Sequence, residues 1–187
     1  MFRLTLLLLT TIISLAAFAM PYDDRWKPEL SDSHCTLVTM TSIPIKDNLE
    51  YDLYVLIGYL GDSHEFTELQ ERAKFSKNEH GIIIQTRKRK IKKSDQTTFP
   101  TWEELEMEHV ELFIEDTKLT LIETEKMHTV HFLQGQKFDS FFNRLLKSKK
   151  LSLHIVDSSG KKFTSKAKMK QFDIASKMYL TCTENIT

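Results

Sequence analysis

Three observations predict an α+β fold. Most of the chain reads as short segments of alternating polar and apolar residues separated by turn residues, the pattern of antiparallel strands. Helical spacing is confined to the C-terminal third. The two cysteines, Cys35 and Cys182, lie near opposite ends of the chain. Together they describe a mostly antiparallel β domain, sandwich-like or a strongly bent sheet. One or two C-terminal helices complete it, and a disulfide joins its termini.

Each element follows in order. Residues 20–33 contain two prolines and several charges. They read as an irregular arm, with Trp26 the candidate to dock on the domain. The globular domain is expected over 34–187. Residues 35–43 alternate as a strand, and Pro44 with Asp47-Asn48 supplies a turn. Residues 49–60 begin by alternating and become apolar on both faces, as a central strand does. Residues 65–75 carry Phe66, Leu69 and Ala73 at helical spacing but are short. Asn78 to Gly81 is a turn signal before a strand over 82–92. Residues 94–101 are polar and contain Pro100. Strand character returns over 105–114, 118–123 and 127–133. From Gly135 to Lys147, Phe138, Phe141, Phe142, Leu145 and Leu146 share one helical face. That stripe reads as core rather than as an exposed partner-binding surface. Residues 150–156 and 161–167 form a hairpin about Asp157-Ser158-Ser159-Gly160, where glycine supplies the positive φ. Met169, Phe172, Ile174, Ala175 and Met178 return to helical spacing over 169–180.

Residues 1–19 set the compartment. Arg3 precedes an apolar run from Leu4 to Ala17, and Ala17-Phe18-Ala19 ends it with small residues suited to cleavage. This is the pattern of a secretory signal peptide. The run is short for a transmembrane anchor, and no cysteine follows it for lipid attachment. A mature chain starting near Met20, periplasmic or secreted, is expected. In that setting Cys35 and Cys182 are expected to pair.

Composition narrows the function classes. The chain carries 26 basic and 26 acidic residues, so no global field attracts nucleic acid or an anionic membrane. The one charge cluster is Arg87, Lys88, Arg89, Lys90, Lys92 and Lys93. On a strand, Arg87, Arg89 and Lys93 share a face with Ile91, while Lys88, Lys90 and Lys92 share the other. A polyanion or partner site is one reading. A salt-bridge ladder with the acid-rich stretch 103–116 is the other, in which Arg87 and Arg89 face Glu106 and Glu108 across a hairpin.

Seven histidines, at 34, 64, 80, 109, 128, 131 and 154, lack the i, i+4 helical spacing of a zinc site. His128 and His131 fall on opposite faces of a strand, so a scatter of surface or half-buried histidines is expected and no metal. There is no nucleophile elbow, no glycine-rich phosphate loop and no carboxylate pair in an apolar setting. No enzyme and no cofactor are expected. Asn185-Ile186-Thr187 forms a terminal glycosylation sequon, read as a frayed tail.

The order over residues 138–182 carries a family resemblance. It consists of a Phe-rich helix, a Lys-rich turn, Leu151-Ser-Leu-His-Ile-Val156, the Gly160 hairpin, then Phe172-Asp-Ile-Ala175 before Cys182. It resembles the C-terminal part of small bacterial exported β-sandwich proteins of the invasion-associated protein B type. It is also similar to envelope accessory proteins of type VI secretion. The resemblance implies a non-enzymatic exported domain with an envelope or host-facing role. The expectation is therefore a non-catalytic exported binding or accessory protein acting through a protein–protein surface. A polyanion-binding protein using residues 87–93 and a small extracytoplasmic hydrolase without a recognisable motif are the alternatives.

Overall fold

The computed structural model describes residues 25–92, 101–148, 150–167 and 169–186. The predicted signal peptide and Lys93 lie outside the described residues. Strands β1 (Lys27–Leu30), β2 (His34–Lys46), β3 (Leu49–Leu60) and β4 (His80–Lys92) follow one another. The short helix α1 (Glu68–Arg72) lies between β3 and β4. Next come β5 (Thr101–Leu105), β6 (Glu111–Ile114), β7 (Thr117–Lys118), β8 (Thr120–Thr124) and β9 (His128–Gln134). Helix α2 (Gln136–Ser148), β10 (Leu151–Val156), β11 (Lys162–Ala167) and helix α3 (Phe172–Asn185) complete the chain.

The strands form two antiparallel sheets. The larger runs β1-β2-β3-β4-β9-β8, with β5 also paired to β4. β4 divides its free edge: Gly81–Arg87 pair with β9, and Lys88–Lys92 pair with β5. The smaller sheet runs β11-β10-β6-β7.

Period-two alternation gives the large sheet two different faces. The inner face carries Leu37 and Ile43 on β2, Leu53, Val55 and Ile57 on β3, and Ile82 and Ile84 on β4. These join Leu112 and Ile114 of β6, Leu153 and Ile155 of β10, and the Phe stripe of α2 in one core. Phe138, Phe141, Phe142 and Leu145 are buried there, as a stripe at helical spacing requires. The Gly160 hairpin forms with φ of 80°, and Asp157 Oδ1 accepts from the Ser159 and Lys161 amides.

Cys35 on β2 and Cys182 on α3 form a disulfide. It fastens the last helix to the second strand and so ties together the two ends of the described residues.

Several expectations are corrected. Residues 27–30 are not irregular: they form an edge strand of the large sheet, Lys27 to Leu30 pairing antiparallel with Val38 to Cys35. Trp26 docks as expected, buried edge-on against Phe172 with ring centroids 5.3 Å apart. The stretch 105–114 is not one strand: β5 ends at Leu105 and β6 begins only at Glu111. β5 belongs to the large sheet and β6 to the small one, with 106–110 crossing between them. The last helix is rotated and longer than the sequence suggests. Phe172, Ala175, Tyr179 and Cys182 face inward, whereas Ile174 and Met178 face solvent.

Candidate functional site

The outer face of the large sheet holds Arg87 and Arg89 of the basic cluster and a half-enclosed cavity. Cross-strand partners share a face, so the outer rows follow from the register. Thr36 lies opposite Gly58, and Gly58 opposite Gly81. Leu56 lies opposite Ile83, and Tyr54 opposite Gln85. Below them Asp52 faces Arg87 and Glu50 faces Arg89.

The lower rows form a compact ion network. Arg87 Nη2 donates to Asp52 Oδ2 at 2.6 Å, and Nη1 donates to Glu104 Oε1 at 2.8 Å. Arg89 Nε donates to Glu50 Oε1 at 2.6 Å, and its Nη1 lies 3.5 Å from Asp52 Oδ2. The Arg89 guanidinium also sits 4.9 Å from the centre of the Trp102 ring, a cation–π contact. Asp52 is only 1% exposed, and both guanidinium groups reach it through Oδ2. On the opposite side of β4, Lys88 bonds Glu108 at 2.6 Å. Together with Ser158, Lys88 holds the Glu108 carboxyl below its ordinary range. Lys92 pairs with Glu103 at 3.3 Å, and Lys90 is exposed.

The predicted sharing of faces therefore holds, but the predicted partners change. Arg87 and Arg89 meet Glu104, Asp52 and Glu50 rather than Glu106 and Glu108. Glu108 takes Lys88, and Glu106 takes Lys126. β4 is a central strand with neighbours on both sides, and β3 supplies the deeper acids. The signal was present in β3, where Glu50 and Asp52 sit two apart, as Arg87 and Arg89 do in β4.

The upper rows are apolar and are roofed by the 61–79 connection between β3 and β4. Thr67 begins α1 with a reciprocal capping box: Gln70 N donates to Thr67 Oγ1, and Thr67 N donates to Gln70 Oε1. Because Gln70 Oε1 only accepts, His64 donates to it from Nε2. The connection is held down at its far end. The Gln134 side-chain amide exchanges two 3.1 Å hydrogen bonds with the Ser76 backbone. Phe75 packs on Gly81 so closely that a Cβ there would lie 2.2 Å from the ring. Ala73, Phe75 and Leu60 form a second small core against Ile83 and Phe132.

Between roof and sheet lies a half-enclosed cavity of about 490 Å³. Its walls include Leu56, Leu60, Leu69, Phe75, Ile83 and Val130. Its polar lining includes Thr36, Tyr54, Gln85, His34, His64 and His128, with Glu29 at the β1 side. The Thr36 hydroxyl is buried in the floor without a hydrogen-bond partner. Burial, with Glu29 adding to it, pushes the Tyr54 hydroxyl up to about 12, so it stays protonated. Burial and the neighbouring His64, 5.2 Å away ring to ring, push the His34 pKa down.

The histidines divide by face. His128 lines the outer cavity, and His131 is buried on the inner face, so the two do point oppositely. The expected scatter of surface or half-buried histidines is corrected at two positions: His131 is 1% exposed, and His154 is buried beside Phe113. Among the described residues, no group of three or more His, Cys, Asp or Glu side chains could hold a metal ion. No described helix is long and apolar enough to cross a membrane.

A wider, flatter groove of about 620 Å³ runs between the β1–β2 turn and α3. Leu30 and Met178 at this groove are each 45% exposed, and Ile174, also on α3, is 66% exposed. No family model, no curated protein and no solved structure matches the chain.

Proposed function

We propose that the chain is an exported, non-catalytic binding protein whose recognition site is the roofed cavity on the outer face of the large sheet. The observation that carries this reading is the cavity itself. Its volume falls within the range of small-ligand sites, and its walls are apolar with a few convergent polar groups. The disulfide and the signal-like residues 1–19 support export. The resemblance of residues 138–182 to exported accessory domains supports a non-enzymatic role.

Native intact mass of the protein taken from its own cells tests the reading. The expected result is a chain beginning near Met20, oxidised, and carrying a non-covalent adduct lost in Gly58→Leu. A chain retaining residues 1–19 sinks export. An adduct that persists in Gly58→Leu sinks the cavity as the site.

A second reading, an accessory protein acting through a protein surface, is favoured by exposed Leu30, Ile174 and Met178 beside the α3 groove. Its test is a cross-linking pull-down in which Ile174→Lys with Met178→Glu loses a partner kept by the unaltered chain. The polyanion reading draws less support, because Arg87, Lys88, Arg89 and Lys92 already meet carboxylates. Retention on heparin at physiological salt, lost on reversal of Lys90 and Lys92, would restore it.

A further inference from the structure

We infer that the roofed cavity takes a small, uncharged, largely apolar molecule bearing one hydrogen-bonding group, which bonds the Tyr54 hydroxyl. The inference rests on the proposed reading of this cavity as the binding site and adds the chemical class of its ligand.

Four features set the class. The first is the size and the apolar walls, contributed by both roof and sheet: Leu69 and Phe75 above, Leu56, Ile83 and Val130 below. The second is the floor at Gly58. A Cβ there would lie 3.3 Å from Leu56 Cδ2 and 3.7 Å from Thr36 Cγ2, both mobile methyl groups. A side chain is therefore tolerated by the fold but would occupy the cavity, and glycine keeps the space open. The third is a neutral polar lining: the Tyr54 hydroxyl and the Gln85 amide border the cavity, and either can bond one polar group of a ligand.

The fourth feature is charge. Glu29 is the only Asp, Glu, Lys or Arg among the lining residues. An anionic head group would meet a carboxylate, while the cationic groups near it are already engaged: Arg87 bonds Asp52 and Glu104, His128 lies 3.4 Å from Glu125, His64 bonds Gln70, and burial with His64 pushes the His34 pKa down. Glu29 is itself exposed to water, at the edge strand, so it offers little to a buried ammonium. The Tyr54 hydroxyl is neutral and can both donate and accept. An alcohol, ester or amide on a hydrocarbon body fits this lining; a carboxylate, phosphate or amine does not.

The test follows the fluorescence of diphenylhexatriene, an uncharged hydrocarbon, titrated into the mature oxidised protein. Competitors are 1-decanol, decanoate and decylamine at near-neutral pH. The expected result is saturable binding of the probe, weakened about tenfold or more by Gly58→Leu and unchanged by Met178→Glu at the α3 groove. Decanol displaces the probe at least about tenfold better than decanoate or decylamine. Tyr54→Phe leaves the probe's binding intact and weakens decanol several-fold. Ile83→Phe narrows the same floor from β4, and stands in should Gly58→Leu fail to fold. Competition by decanoate or decylamine equal to that by decanol overturns the ligand class while leaving the cavity as the site. Failure to bind the probe, or binding indifferent to both Gly58→Leu and Ile83→Phe, overturns the cavity and the reading on which the inference rests.

Discussion

His131 shows how a single residue couples this core to pH. It is buried on the inner face, with Nε2 3.3 Å from Thr129 Oγ1 and Nδ1 without a partner. Burial foremost, with nearby His109, lowers its pKa from 6.5 to about 4. Burial lowers His34, His80 and His154 as well. The folded state therefore disfavours the proton that the unfolded chain accepts, and the unfolded state binds more protons below about pH 6.5. Stability is full above that pH and is lost as pH falls toward 4, with His131 alone contributing about 3 kcal/mol. Urea denaturation across this window is expected to show a falling midpoint, and His131→Leu is expected to flatten the fall. Unchanged midpoints between about pH 7 and pH 4.5 would refute this account. Asp52 is the other critical residue. Asp52→Ala removes the carboxylate that two guanidinium groups share, leaving Arg87 with Glu104 and Arg89 with Glu50, and is expected to cost about 1.5–3 kcal/mol. Lys92→Ala, which removes an exposed pair, is expected to cost less than about 0.5 kcal/mol in the same denaturation assay.

At the scale of elements, the roof over the cavity is joined to the sheet at a few identifiable points. Helix α1 has one turn and no buried residue of its own. Its connection stays down through Phe75 on Gly81 and the Gln134 latch to Ser76. Gly81→Ala places a methyl group inside the Phe75 ring and is expected to lift the roof while β4 stays paired. Limited trypsin digestion checks this: cleavage after Arg72, Lys74 or Lys77 should accelerate severalfold, with the rest of the domain protected. Equal cleavage in both proteins would show that the ring does not anchor the segment. β3 was legible in the sequence to the residue, because an apolar run bounded by turn signals has only one use in a sheet. The crossover at 106–110 was not. Alternation continues through it locally, and nothing in a window of that length says which sheet each half joins.

At the scale of the molecule, the disulfide joins residues 147 apart in sequence. Closing so long a loop restricts the unfolded chain strongly, by about 3–5 kcal/mol. Cys35→Ser with Cys182→Ser is expected to lower the denaturation midpoint by that amount, with the same sheet content by circular dichroism. Loss of less than about 1 kcal/mol would show that α3 docks without needing the covalent tie. The two-sheet core and the helical caps account for why α3 turned out differently from its sequence pattern. Ile174 and Met178 have the right spacing for a buried stripe, but the pairing of Cys182 with Cys35 and the packing of Tyr179 on His80 turn the helix the other way.

By itself the sequence determined the compartment expectation, the fold class, the cysteine pair, the Phe stripe of α2 and the two faces of the basic strand. Each of these depends on local period or on a count of residues, which a linear reading carries. Only the tertiary structure decided which acids meet Arg87 and Arg89, that Lys27–Leu30 extend the sheet, and that a roof encloses a cavity above Gly58. Those outcomes depend on which strands become neighbours and on what crosses over them. Residues far apart in the chain are brought together by burial of the shared core, and no local pattern encodes that choice.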